Sequence, residues 1–185
     1  NVYTRFGDYK KALEYLSGPY AYYTAQNDDD KKVSCAINMC IVFNEIKQYD
    51  SIIPILLPLT ALTEIKNRHK ANIQAMLASA YLSQGDTTLA EKHVHTAAAI
   101  AAKYITEPSM SEPLSSVCDL YASLEAGKKN YAAAKGFYRQ SLSFTLKENK
   151  VFRRRETGKI LNNIGNICEA AGEIDSAISY YHKAL

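Results

Sequence analysis

Leu161-Asn-Asn-Ile164-Gly165-Asn-Ile-Cys168-Glu-Ala-Ala-Gly172-Glu173-Ile174-Asp-Ser-Ala177-Ile178-Ser-Tyr-Tyr181-His-Lys-Ala184-Leu185 decides the fold. Leu161, Ile164, Gly165 and Cys168 stand at offsets 0, 3, 4 and 7, one face of a helix. Gly172 then stops it, because glycine takes a positive φ without steric cost. Ile174, Ala177, Ile178, Tyr181, Ala184 and Leu185 follow at offsets 0, 3, 4, 7, 10 and 11, a second amphipathic helix.

The same figure recurs upstream. Gln74, Leu77, Ala78 and Tyr81 lead through Gly85-Asp86 to Leu89, Ala90, Val94, Ala97 and Ala98. Val117, Leu120, Tyr121 and Leu124 lead through Gly127 to Asn130, a turn about one residue too long, to Tyr131, Ala134, Tyr138 and Leu142. Ala36, Met39, Cys40 and Phe43 lead through Lys47-Gln48 to Tyr49, Ile52, Leu56 and Leu59. At the start only a second helix is legible, after Gly7-Asp8. The turns are spaced by 40, 38, 43 and 44 residues. One such pair cannot bury its apolar face alone; stacked pairs bury a continuous core. The reading is an all-α, right-handed α-α superhelix of about four and a half helix-turn-helix repeats in a single array. The repeats fall at 1–26 (second helix only), 33–66, 71–105, 114–148 and 158–185.

The motif from Leu161 to Leu185 resembles the tetratricopeptide repeat, and Gln74 to Ala98 is similar. Small residues (Ala78, Gly165, Ala90, Ala177) stand where paired helices would cross most closely, and Tyr81 and Tyr181 where gaps need filling. The usual period is about 34, so the extra residues should lengthen helices or inter-repeat loops. Long-period arrays such as kinesin light chains are similar in this respect. Pro54 and Pro58 should delay or kink their helix. Thr106 to Pro113 reads as a loop, and Asn27 to Asp30 as a turn with an N-cap. The chain enters in mid-repeat and stops at Leu185 without a polar capping helix, which suggests a longer native protein or self-association through uncapped ends.

Composition narrows the function classes. The net charge of +3 makes neither nucleic acid nor an anionic membrane an obligatory partner. No apolar run has the length of a membrane span. Cys40, Cys118 and Cys168 lie on apolar stripes, and with Cys35 form no metal-ligand spacing; unpaired thiols lean towards the cytoplasm, with a periplasmic sensor domain as the alternative. His93 and His95 point to different helix faces, and His69 and His182 stand alone, so all four read as solvated. There is no phosphate loop and no serine elbow. The chain reads as a non-enzyme without cofactor or metal.

The resemblance implies a protein or peptide partner in a concave groove lined by the first helices, with asparagines bonding the peptide backbone. Carried over, these are Asn38 and Asn163, with Asn162 beside the latter; Asn166 and Lys159 should share its face. The equivalent middle positions are Met76 and Asp119, so the ladder is broken, and small Ala75, Ser79 and Ala122 leave room for a bulky ligand or another helix of the chain. The several groove lysines and asparagines of a chaperone-tail clamp are not reproduced. Lys147, Lys150, Arg153, Arg154, Arg155 and Lys159 form a basic run that could meet phosphate or an acidic peptide; with Phe152 as its single aromatic neighbour it offers no stacking platform for nucleic acid. Tyr20, Tyr22 and Tyr23 cluster beside Pro19, where tyrosine suits an interface or a core. The reading is an interaction scaffold; the alternative is a sensory or regulatory segment of a larger bacterial signalling protein or transcription regulator.

Overall fold

The computed structural model describes residues 7–147 and 150–185, with side chains for all of these except 150, 151, 152 and 154. Among the described residues there are nine α-helices and no strand. They are α1 (Tyr9–Ala25), α2 (Asp29–Glu45), α3 (Ile52–Leu56), α4 (Asn67–Ser83), α5 (Thr87–Lys103), α6 (Ser111–Gly127), α7 (Tyr131–Thr145), α8 (Lys150–Ala170) and α9 (Ile174–Ala184). The chain divides into two compact units, Asn1–Ile100 and Ala101–Leu185.

One turn recurs five times. Asn27, Lys47, Gly85, Lys129 and Gly172 each take a positive φ, between 54° and 84°. The next residue's amide reaches back to the carbonyl five positions earlier, as in Asp86 to Tyr81 at 2.9 Å and Glu173 to Cys168 at 2.8 Å. This is the Schellman arrangement, which satisfies carbonyls that a helix end leaves orphaned. That same next residue starts the following element. Asp28, Asp86 and Asn130 accept the amides of Lys31, Leu89 and Ala133 on their side chains, as Asp8 accepts that of Lys11. Two residues therefore end one helix and begin the next. The turn after α6 proves no longer than the others. Gly127 is the last helical residue, and Lys129 holds the left-handed position that Gly85 and Gly172 hold elsewhere.

The prolines act as expected and more strongly. α3 is only five residues long and gives way to a 3-10 turn at Pro58–Ala61, after which Leu62 is extended. The region from 106 to 113 is shorter as a loop than the sequence suggests. A 3-10 turn covers Pro108–Met110, and α6 starts at Ser111. Pro113 sits in the first turn of α6, where no intrahelical partner for its missing N–H is required. The residues beyond the usual repeat length thus occupy the linkers around 57–66 and 104–110 and the long α8, which has 21 residues.

Each unit has its own core. In the first, Val33, Ala36 and Cys40 of α2 meet Ile52 and Leu56 of α3 and Ile73 and Leu77 of α4. Full burial of a side chain such as Leu77 contributes about 2 kcal/mol. In the second, Ala134 and Tyr138 of α7 meet Ile160, Ile164 and Cys168 of α8 and Ala177 of α9. Ile160 and Ile167 are buried on α8, whereas Leu161 is half-buried. On α9 only Ala177 is buried; Ile174 and Ile178 are 55% and 50% exposed, since no described element covers that face.

Candidate functional site

The residues carried over for peptide binding sit on first helices. Asn38 is exposed on α2 of the first unit. On α8 of the second, Lys159, Asn162 and Asn166 are exposed and Asn163 is half-buried. The spacing 159, 162/163, 166 gathers them on one strip of that helix. Asn166 is also tied to its own pair. The Tyr181 hydroxyl of α9 lies 2.9 Å from Asn166 Oδ1 and 2.7 Å from Glu169 Oε2, so its one proton serves either acceptor. Ala75 and Ala122 are not open groove positions. Both are buried, and Ala122 packs in the second core with Ile160 and Ile164 of α8, so a helix of the same chain fills that space.

The basic run is largely engaged within the chain. The Glu156 carboxylate lies 3.5 Å from both Arg155 and Lys159. Arg153 donates to the Leu146 carbonyl at 3.5 Å, and Lys147 lies over the Phe144 ring. The side chains of Lys150 and Arg154, and of Phe152 beside them, lie outside the described residues. Tyr20 packs against the first core, while Tyr22 is exposed and meets Tyr23 edge-on.

Two histidines are buried, contrary to the expectation that all four are solvated. His93 donates from Nδ1 to Gln74 at 2.7 Å and stacks on Tyr81, tying α5 to α4. His69, on α4, does not stand alone. Its Nδ1 lies 3.0 Å from Asp30 Oδ1 and its Nε2 3.3 Å from Ser34 Oγ, both on α2. Lys66 adds its ammonium at 2.7 Å and its amide at 3.1 Å to the Asp30 carboxylate. The order serine, histidine, aspartate is that of a nucleophilic relay. Ser34 Oγ, however, also donates to the Asp30 carbonyl at 3.0 Å. The cluster is a clamp between consecutive first helices. Sequence reasoning missed it because its halves are 39 residues apart; the visible signal was Asp30 and Ser34 one helical turn apart.

Burial holds the His69 imidazole below its ordinary value despite Asp30, with Arg68 and Lys66 pushing the same way. Burial alone would raise the Asp30 carboxyl; Lys66 and His69 outweigh it and hold it at about 2. Both groups stabilise the folded state above their ordinary titration ranges, and both contributions fade as pH falls. His69→Ala is expected to cost about 2 kcal/mol above neutral pH, by the loss of one charge-assisted hydrogen bond to Asp30 and by a cavity. The difference from wild type, read from urea midpoints, should shrink in acid.

Asp119 on α6 is, with Met76 on α4, one of the two residues that break the asparagine ladder. Its Oδ1 is buried without a hydrogen-bond partner. Burial pushes its carboxyl up to about 6; Glu156 raises it further, while the Ser141 hydroxyl and Lys159 oppose. Ser141 belongs to a buried chain of hydroxyls, with Ser115 Oγ 2.9 Å from Ser141 Oγ and 2.7 Å from Thr145 Oγ1. All four cysteines are buried and free. Burial pushes the Cys40 thiol up to about 12 and the Cys118 thiol to about 11, which makes both poor nucleophiles at neutral pH. Among the described residues no group of side chains is arranged to hold a metal ion, and no helix is long and apolar enough to cross a membrane.

Comparison with known proteins agrees with this architecture. Residues 160–185 match the tetratricopeptide repeat. The chain is similar to the crystal structure of a putative kinesin light chain from Podosopora anserina with nearly identical tetratricopeptide-like repeats. The TM-score is 0.58 at 16% identity, over 98% of this chain and 88% of that one. A single-substitution variant of that protein gives a TM-score of 0.59 at 16% identity, over 98% and 87%. No curated protein matches in sequence. At this identity the likeness shows the fold, an all-α tetratricopeptide-like array of helical repeats.

Proposed function

We propose that the chain is a protein-binding module whose first-helix faces bond the backbone of a peptide or protein partner. A tetratricopeptide-like fold commonly serves protein–protein interaction, and the observation that carries the finer reading is the strip on α8. Lys159, Asn162 and Asn166 are solvent-exposed there, and Asn163 is half-buried beside them. An amide offers one acceptor and two donors, which matches a peptide group and needs no particular side chain on the ligand. Core packing of Ile160, Ile164 and Cys168 fixes the helix, so the asparagines present these groups at little entropic cost. Asn38 offers the same chemistry on α2 of the first unit.

The test is an affinity selection from a random peptide library, followed by titration of the recovered peptides. Wild type is compared with Asn38→Ala/Asn163→Ala, the two matched for helicity and melting temperature. The expected result is a loss of about fivefold or more in affinity for a peptide held by either face, since at least one backbone hydrogen bond of about 1 kcal/mol is removed. Unchanged affinity would remove these faces from the working surface.

A further inference from the structure

We propose that a cavity in the first unit is a binding site for a small free monocarboxylate with a compact aliphatic tail. The cavity measures about 210 Å³. It exists because of the prolines. A second helix continuing past Leu56 would fill this space, but the chain turns through Pro58–Ala61 and then runs extended at Leu62. Leu59, Leu62 and Ile65 from that segment, Ile73 from α4 and Ile100 from α5 form its walls. A closed apolar cavity of about 150 Å³ stays dry and accepts a benzene-sized molecule, so this space suits a tail of several carbons.

The polar groups on the wall select the other end of the ligand. Thr60 and Thr96 donate their hydroxyls to the carbonyls of Leu57 and Lys92. Gln74 accepts from His93 through Oε1, which fixes the amide and leaves its N–H groups as donors. Lys70 is half-buried, and among the described residues its ammonium has no ion pair or hydrogen bond. What remains on offer is therefore one cation and one amide donor beside an aliphatic wall. A carboxylate satisfies both, and a charge-assisted bond is stronger than a neutral one. This site does not rest on the peptide-face reading, because Lys70 belongs to α4 and the strip of asparagines on α8 to the other unit.

The experiment titrates the purified chain with hexanoate, hexanol, hexylamine and acetate, read by methyl NMR of the wall residues. It is repeated with Lys70→Met, which keeps the apolar stem, and with Thr60→Trp, which fills the cavity from an exposed position; circular dichroism checks both folds. Hexanoate should shift the wall methyls with a Kd of about 1 mM. Binding should weaken about tenfold in Lys70→Met and for hexanol, and vanish for hexylamine, for acetate and in Thr60→Trp. Equal binding of hexanoate and hexanol, or an unaffected Lys70→Met, would overturn the carboxylate assignment. Wall methyls that stay silent with hexanoate would overturn the site. A peptide ending in a free leucine carboxylate is added as a further arm, with its amide as control. Tighter binding of the acid peptide than of hexanoate would overturn the free-acid assignment.

Discussion

Gly165→Val is expected to destabilise the second unit by about 3 kcal/mol and to lower the melting temperature by roughly 8 °C. Gly165 stands on the face of α8 that meets α9. A Cβ built there would lie 2.5 Å from Tyr181 Cε1 and 2.7 Å from Cδ1, closer than real Cβ atoms approach a ring. The ring is not free to swing aside, because its hydroxyl is held between Asn166 and Glu169. Valine brings two further carbons into the same contact and gains little helix propensity over glycine. The smaller change, Gly165→Ala, separates packing from propensity. In wild type, crowding against Tyr181 should outweigh the roughly 1 kcal/mol that alanine gains in a helix. In a Tyr181→Ala background the crowding is gone, and the same change should stabilise. Chemical denaturation of the four proteins reads this reversal of sign. A destabilising effect of equal size in both backgrounds would show that the small residue serves something other than contact with Tyr181.

Asp119→Asn is expected to stabilise the second unit at slightly alkaline pH by about 3 kcal/mol and to do little near pH 4. The carboxyl is pushed up to about 6, first by burial and then by Glu156 of α8, against the Ser141 hydroxyl of α7 and Lys159 of α8. Burial raises Tyr138 of α7 and Cys118 of α6, and the Asp119 charge raises both further. A carboxyl raised on folding favours the protonated folded state. Its contribution is therefore fully present below the ordinary aspartate range and is lost as pH rises through about 6. Asparagine has nearly the same shape and no charge to desolvate, so the variant should escape that loss. Melting temperatures of variant and wild type should nearly coincide near pH 4 and differ by roughly 8 °C near pH 8. A constant difference across this range would mean that Asp119 does not titrate as its surroundings dictate. The first unit behaves in the opposite sense, since Asp30 and His69 lose their contributions in acid. The difference between variant and wild type, not either curve alone, isolates Asp119.

Local chemistry made the array legible. Gly85-Asp86 and Gly172-Glu173 combine a residue tolerant of positive φ with one that starts the next helix, and apolar residues at 3.6-residue spacing flank both. Pro54 and Pro58 announced the broken helix because the ring removes a donor whatever the surroundings. These signals act within a few residues, so the amino-acid order alone determined an all-α repeat fold and the places of its turns. The turn at Lys129 was misjudged because a lysine took a conformation for which the nearby Gly127 was the better local candidate. Packing of α7 on α6 overrides that preference, which is worth only about 1–2 kcal/mol. The clamp of Asp30, Ser34 and His69 and the buried oxygen of Asp119 depend on which helices become neighbours. The cavity beside Lys70 depends on what fails to fill the space after Pro58. Residues distant along the chain, each unremarkable in its own window, acquire their charge state and partners only when tertiary packing removes water from between them.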